Sequence, residues 1–184
     1  MIRATVCTAN PHKLEEFQAL FPDWDLDLLA GAEFPPEDGE TYAENALIKA
    51  RHGRRVGAAD RLMLADDSGI EVAALGGGPG VQTARWAEGR HVERLLGVLG
   101  DAVDRGARYV CELVALTPDG RELHGTGVLA GEISLTPAGS EGFGFDPVFV
   151  PDGERRTVAE LGDAWKAEHS HRALAARALR ERLV

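Results

Sequence analysis

The chain has 184 residues, 20 basic against 30 acidic for a net charge of −10, and a hydrophobic fraction of 44%. At ~100–200 residues per domain that is one globular domain, large enough to bury a core without disulfide staples. The acidic balance excludes coating of a nucleic-acid polymer, which runs on clustered cations. No apolar run approaches the ~18 residues that a membrane span needs.

From the N-terminus, residues 2–8 alternate and are rich in β-formers, an opening strand. Asn10 is placed to cap a helix with Pro11 at its first position, and Leu14, Phe17 and Phe21 follow at helical spacing. Residues 25–29 read as a short strand, and residues 35–39 as a loop. Thr41-x-x-Glu44 opens a second helix as a capping box, running to about Val56. Residues 61–65 form a buried strand that ends at Asp66-Asp67-Ser68-Gly69, and residues 76–80 are a glycine-rich loop.

Val92, Leu95, Leu96 and Leu99 mark a third helix. Two long strands, at about 107–116 and 122–132, flank a turn at 117–120. A glycine-rich corner at 142–147 leads into a strand at 148–150, and Ser170 caps a last helix carrying Leu174, Ala175, Ala178 and Leu179. Early alternation of helices and strands with a hairpin in the middle favours an α/β fold on a mixed sheet, read as one continuous domain over residues 1–184. The run Gly125-Thr-Gly-Val-Leu-Ala130 fits a dinucleotide G-x-G-x-x-A pattern. It lies inside a strand with no helix after it, so that reading is rejected.

Only three of the 20 basic residues are Lys (Lys13, Lys49, Lys166), and only two Asn occur (Asn10, Asn45). Where Arg serves for general positive charge, the rare Lys are candidates for a compact point charge on phosphate. Cys7 and Cys111 are too few for a zinc or disulfide framework, and the first ten residues lack a signal-peptide layout. A cytoplasmic location is expected.

Five segments can carry chemistry. At Thr8-Ala9-Asn10-Pro11-His12-Lys13 a strand feeds a helix N-terminus, a ready anion site, or else an ordinary capped helix with a solvated Lys. Asn45 and Lys49 share one helix face, while Glu44 either closes the capping box or serves as an oxygen ligand for Mg²⁺; from the segment alone the cap is favoured. Asp66-Asp67 at a strand end places one carboxylate on each side of the sheet, a hard-oxygen site suited to Mg²⁺ in preference to an Asx turn. Gly142-Phe143-Gly144-Phe145-Asp146-Pro147 reads as a tight turn with core aromatics, or as a platform that stacks on a base. Lys166 with Ser170-His171-Arg172 again crowds cations at a helix N-terminus, against its dipole.

In order along the chain, TANPHK, ETYAENALIKARH, LADDSGIEV with LGGGPGVQTARWA, GFGFDPVFVP and the closing K-x-x-x-SHR resemble the inosine triphosphate pyrophosphatase family. The resemblance runs from Thr8 to Arg172 and takes in all three Lys and both Asn. It implies an elongated mixed β-sheet flanked by helices, two lobes with a central active-site cleft, and a homodimer. It further implies Mg²⁺-dependent hydrolysis of non-standard purine nucleoside triphosphates (ITP, dITP, XTP) to the monophosphate and pyrophosphate.

By the same resemblance the segment Thr8, Ala9, Asn10, Pro11, His12 and Lys13 holds the triphosphate, with Lys49 nearby. Glu44 and Asp67 bind the metal, Asp67 is also the proton acceptor, and Ser68 touches substrate. Phe143 stacks on the base, with Gly144, Phe145, Asp146, Lys166, His171 and Arg172 completing the pocket. Three departures bear on base preference: Phe145 where Tyr or Trp is common, Gln82 in place of an aromatic, and Ala164-Trp165 where acidic residues are common. Two alternatives are a pyrophosphatase for modified pyrimidine triphosphates and a nucleotide-binding regulator that does not hydrolyse. An intact Asp67 with Glu44 speaks against the second, since mere binding needs no positioned base.

Overall fold

The computed structural model describes residues 1–31 and 33–183. The side chains of Pro11 and His12 also fall outside the described set, and with them the substrate contacts expected there. The element order is β1 (Arg3–Val6), α1 (Pro11–Leu20), β2 (Asp25–Leu28), α2 (Tyr42–Val56), β3 (Leu62–Val72), α3 (Thr83–Ala87) and α4 (His91–Leu99). Then follow β4 (Gly106–Leu116), β5 (Glu122–Ile133), β6 (Phe149–Pro151), α5 (Val158–His169) and α6 (His171–Glu181). Among the described residues no helix is long and apolar enough to cross a membrane.

The strands form one six-stranded sheet in the order β2-β1-β3-β4-β5-β6. β1 pairs in parallel with both β2 and β3, whereas β5 pairs antiparallel with β6, so the sheet is mixed. The expected α/β class and mixed sheet are observed. Gly125 and Gly127 lie within β5, as the rejection of a dinucleotide loop requires. Only glycine fits at Gly125, because a Cβ there would stand 2.2 Å from the Ala175 carbonyl oxygen.

The chain clusters into two compact units: residues 1–67, 111–127 and 172–184 make the first, and residues 68–110 and 128–171 the second. In the first unit, strand alternation sorts the core into two layers. Ala4, Val6, Leu62, Leu64, Cys111, Leu113 and Ala115 join Phe17, Phe21, Ala175 and Leu179 of the α1 and α6 side. Met63, Ala65, Val114 and Leu116 join Ala46 and Ala50 of α2. The second unit has its own core, with Ile70, Val72, Leu95, Tyr109, Ile133, Phe145 and Phe149 at its centre.

Three elements differ from expectation. β3 does not stop at the acidic pair but runs through Asp66-Asp67-Ser68-Gly69 to Val72. Strand propensity disfavours Asp, Ser and Gly, yet partners on both faces override it. The helix α5 was not expected, although Thr157 and Glu160 form a complete capping box like that of Thr41 and Glu44. Gly162, at φ 86°, interrupts its helical period. The short α3 also follows the glycine-rich loop without a periodic signal.

Candidate functional site

The alternation that sorts the core of the first unit continues into its two carboxylates. Asp66 follows Leu62 and Leu64 toward α1 and α6, where Lys13 Nζ donates to its Oδ1 at 2.9 Å. Arg172 Nε and Nη2 both donate to Asp66 Oδ2 at 3.2 Å, and Arg172 also pairs with Glu16. Asp66 is fully buried, which by itself raises its pKa, but the charges of Lys13, Arg172 and Lys49 outweigh that and hold the carboxyl well below the usual range. Arg172, 3% exposed, is pushed down by burial and raised more by Asp66 and Glu16, so it stays charged.

Asp67 follows Met63 and Ala65 toward α2. Asn45 Nδ2 donates to its Oδ2 at 3.1 Å, and Lys49 Nζ lies 3.8 Å from its Oδ1. Asn45 is itself fixed, accepting from Gly39 N at 2.9 Å through Oδ1. Burial raises the Asp67 carboxyl above its ordinary value, Lys49 and Asn45 pull it down, and the nearby charge of Glu37 pushes it up again. A carboxylate that holds a proton more readily than usual is better suited to accept one.

Glu37 was missed in the sequence because a loop residue carries no periodic signal. Its Oε1 accepts from Lys49 Nζ at 2.9 Å, so Glu37 and Asp67 share one ammonium. Lys49 is lowered by burial and raised more strongly by Asp66, Asp67 and Glu37, with a net upward shift. Glu44, by contrast, closes the capping box: its Oε2 accepts from Glu40 N at 2.8 Å and Thr41 N at 3.0 Å. At the strand-to-helix junction Thr8 is buried, and its Oγ1 accepts from Asn10 N at 3.1 Å. Lys13 stands in the first turn of α1, with its amide on the Asn10 carbonyl at 3.2 Å. The first unit thus brings together Thr8, Asn10, Lys13, Lys49 and Asp67.

Among the described residues no three His, Cys, Asp or Glu form a ready metal cage. Mg²⁺ asks for less than that, since one or two carboxylates suffice when substrate phosphates and water complete the octahedron. Asp67 and Glu37 on a shared cation fit that requirement. Cys7 and Cys111 play no part in it: burial pushes both thiols up to about 12.

Ser68 opens the second unit, which holds Phe143, Gly144, Phe145, Asp146, Lys166 and His171, whereas Arg172, expected beside them, belongs to the first unit. Asp146 is buried, and its Oδ2 accepts from Lys166 Nζ and from Phe143 N, each at 2.9 Å. A Cβ on Gly142 would stand 2.2 Å from that same oxygen, so only glycine, here at φ 76°, lets the carboxylate tuck under the loop. Lys166 Nζ lies 4.5 Å from the centre of the Phe143 ring, within cation–π range. Phe143 is 44% exposed, whereas Phe145 is 2% exposed, its ring against Trp86 and His91. Phe143 is therefore the ring presented to solvent, and Phe145 belongs to the core beneath. Gly144, at φ 64°, turns the chain between them. His171, at the start of α6, stacks on Tyr109 with centroids 4.7 Å apart and planes 11° apart.

Residues 4–182 match the family described as Ham1 family. A dITP/XTP pyrophosphatase of Leifsonia xyli is 43% identical over 189 residues, covering 95% of this chain and 92% of the relative. One from Bdellovibrio bacteriovorus is 38% identical over 191 residues, covering 97% and 96%. Among solved structures, the Staphylococcus aureus Ham1 protein superposes with a TM-score of 0.85 at 33% identity, covering 98% of this chain and 97% of that one. A nucleoside-triphosphatase / dITP/XTP pyrophosphatase from Mycobacterium abscessus gives 0.76 at 38% identity, with both chains covered fully.

Proposed function

The chain belongs to the Ham1 family, and from that premise we propose that it hydrolyses non-standard purine nucleoside triphosphates, ITP, dITP and XTP, to the monophosphate and pyrophosphate. The observation that carries the reading is the split pair on β3: Asp67 carries a raised pKa beside Lys49 and Asn45, and Asp66 ties down Lys13. Lys13 and Lys49 are compact charges for the triphosphate, set on one side by the Thr8–Asn10 turn. In the second unit Phe143 offers a ring for stacking, Lys166 stands over that ring, and His171 is stacked on Tyr109.

Asp67 takes the proton of the attacking water as its oxygen bonds to the α-phosphorus. The bond from that phosphorus to the bridging oxygen breaks, and pyrophosphate leaves as one piece. Lys13 and Lys49 offset the charge that builds on the leaving group, a positioning and electrostatic task typical of phosphoryl transfer. Mg²⁺, held by Asp67 and by Glu37 in preference to the cap-engaged Glu44, would neutralise phosphate charge and polarise the phosphoryl oxygens.

Product analysis tests the reaction. Incubation with ITP should release IMP and pyrophosphate, and IDP with inorganic phosphate as first products would sink it. Turnover with and without Mg²⁺ tests the metal. The homodimer rests on the resemblance and the cytoplasmic location on the two isolated cysteines, and sedimentation of the purified chain tests the first.

A further inference from the structure

We infer that Tyr109 is a positioning residue for base recognition, a role that rests on the reading of the second unit as the purine site. Tyr109 sits on β4 and is buried. Its hydroxyl donates to Asp146 Oδ1 at 3.3 Å. One face of its ring stacks on the His171 imidazole, 4.7 Å away and nearly parallel, and the ring also packs on Phe149 at 4.5 Å. Asp146 in turn holds the Phe143 amide and the Lys166 ammonium through its other oxygen, and that ammonium lies over the Phe143 ring.

Phe143 and Asp146 come from a turn, Lys166 from α5 and His171 from α6. Among these residues Tyr109 alone stands on a strand of the sheet. Through two direct contacts, and two more relayed by Asp146, this one side chain ties all four to the sheet. Turns and helix ends open more readily than central strands, so a fixed strand residue supplies what the others lack. Recognition of a base edge depends on donors held within a fraction of an ångström. Tyr109 holds them there without touching the base.

The test is steady-state kinetics on ITP and ATP, with inhibition by IMP and by pyrophosphate, for Tyr109→Leu and Tyr109→Phe. Tyr109→Leu loses both ring and hydroxyl contacts, and the KM for ITP and the inhibition constant of IMP should rise by about tenfold. kcat and the inhibition constant of pyrophosphate should hold, since Lys13 and Lys49 are untouched. Tyr109→Phe keeps the stack on His171 and should recover most of the loss, leaving about a two- to threefold rise from a long hydrogen bond. A folded Tyr109→Leu with unchanged KM, or one that weakens IMP and pyrophosphate equally, overturns the inference. If Tyr109→Leu fails to fold, Tyr109→Phe decides: a rise in KM of twofold or more supports the role, and an unchanged KM overturns it. Phe143→Ala separates the purine site itself from the role of Tyr109 in it. If it leaves the KM for ITP unchanged, the purine-site reading itself fails. If it raises KM while Tyr109→Leu does not, only the role of Tyr109 falls.

Discussion

Asp66 and Asp67 are neighbours on β3 whose carboxylates lie on opposite faces of the sheet and have pKa values shifted in opposite directions. Asp66 faces two buried cations and keeps its charge, while Asp67 faces Asn45 and a shared Lys49 and gives up its charge more easily. Strand alternation alone separates them. One sequence dipeptide thus yields one carboxylate held ionised and one that holds a proton more readily.

Asp67→Asn keeps the shape and the Asn45 contact region but removes the acceptor. Loss of a general base costs roughly 10²–10⁴ in rate, so kcat on ITP should collapse in that range while the melting temperature holds. Near-full turnover at saturating Mg²⁺ would remove Asp67 from the mechanism.

Asp66 should dominate acid stability. Its folded pKa lies below the unfolded value, so its stabilisation is complete above the ordinary carboxylate range and is lost as pH falls toward the folded pKa. Asp66→Asn strands Lys13 and Arg172 in a buried setting, a change worth about 3–5 kcal/mol for such pairs. Urea unfolding at pH 7 should show that loss, and the variant should lose less further stability on acidification below pH ~4 than the parent. Parallel acid profiles for the two proteins would show that other carboxylates control the transition.

Glu37 and Glu44 can be told apart by magnesium titration. Glu37→Gln should raise the Mg²⁺ needed for half-maximal rate, because its carboxylate shares Lys49 with Asp67. Glu44→Ala should leave that requirement unchanged and cost about 1 kcal/mol of stability through the lost cap contacts. The opposite pattern would return the metal role to Glu44.

Much of this site was legible because its residues break local rules. The capping box at Thr41 and Glu44 fixed the start of α2, and with it the face shared by Asn45 and Lys49. Acidic residues at the end of an apolar run stand out because strands seldom contain them, yet the same rarity reads as the end of the strand. What permits them is tertiary: Lys13, Arg172, Asn45 and Lys49 arrive from helices far away in sequence. Tyr109 was invisible for the opposite reason, since an aromatic on a buried strand is what a core predicts. Phe145 shows the same limit, because only the fold separates the exposed ring of Phe143 from the buried one two residues on.

Two tasks compete for Arg172. Its guanidinium binds Asp66 through two nitrogens and Glu16 through a third, so Arg172→Ala breaks a buried network and should cost about 3–5 kcal/mol. For a chain of this length that lowers the melting temperature by roughly 10 °C. The base reading adds a separate demand. Hypoxanthine presents a 6-oxo acceptor where adenine presents an amino donor, and a site built on such a contact can reject the mismatch by ~10⁴-fold. Guanine shares the 6-oxo group, so exclusion of GTP has to come from its 2-amino edge. Assayed well below the melting temperature of the variant, Arg172→Ala should lower kcat/KM for ITP much more than for ATP and shrink their ratio. If both substrates lose equally, Arg172 acts through Asp66 and Glu16 alone, and discrimination falls to Lys166 and His171.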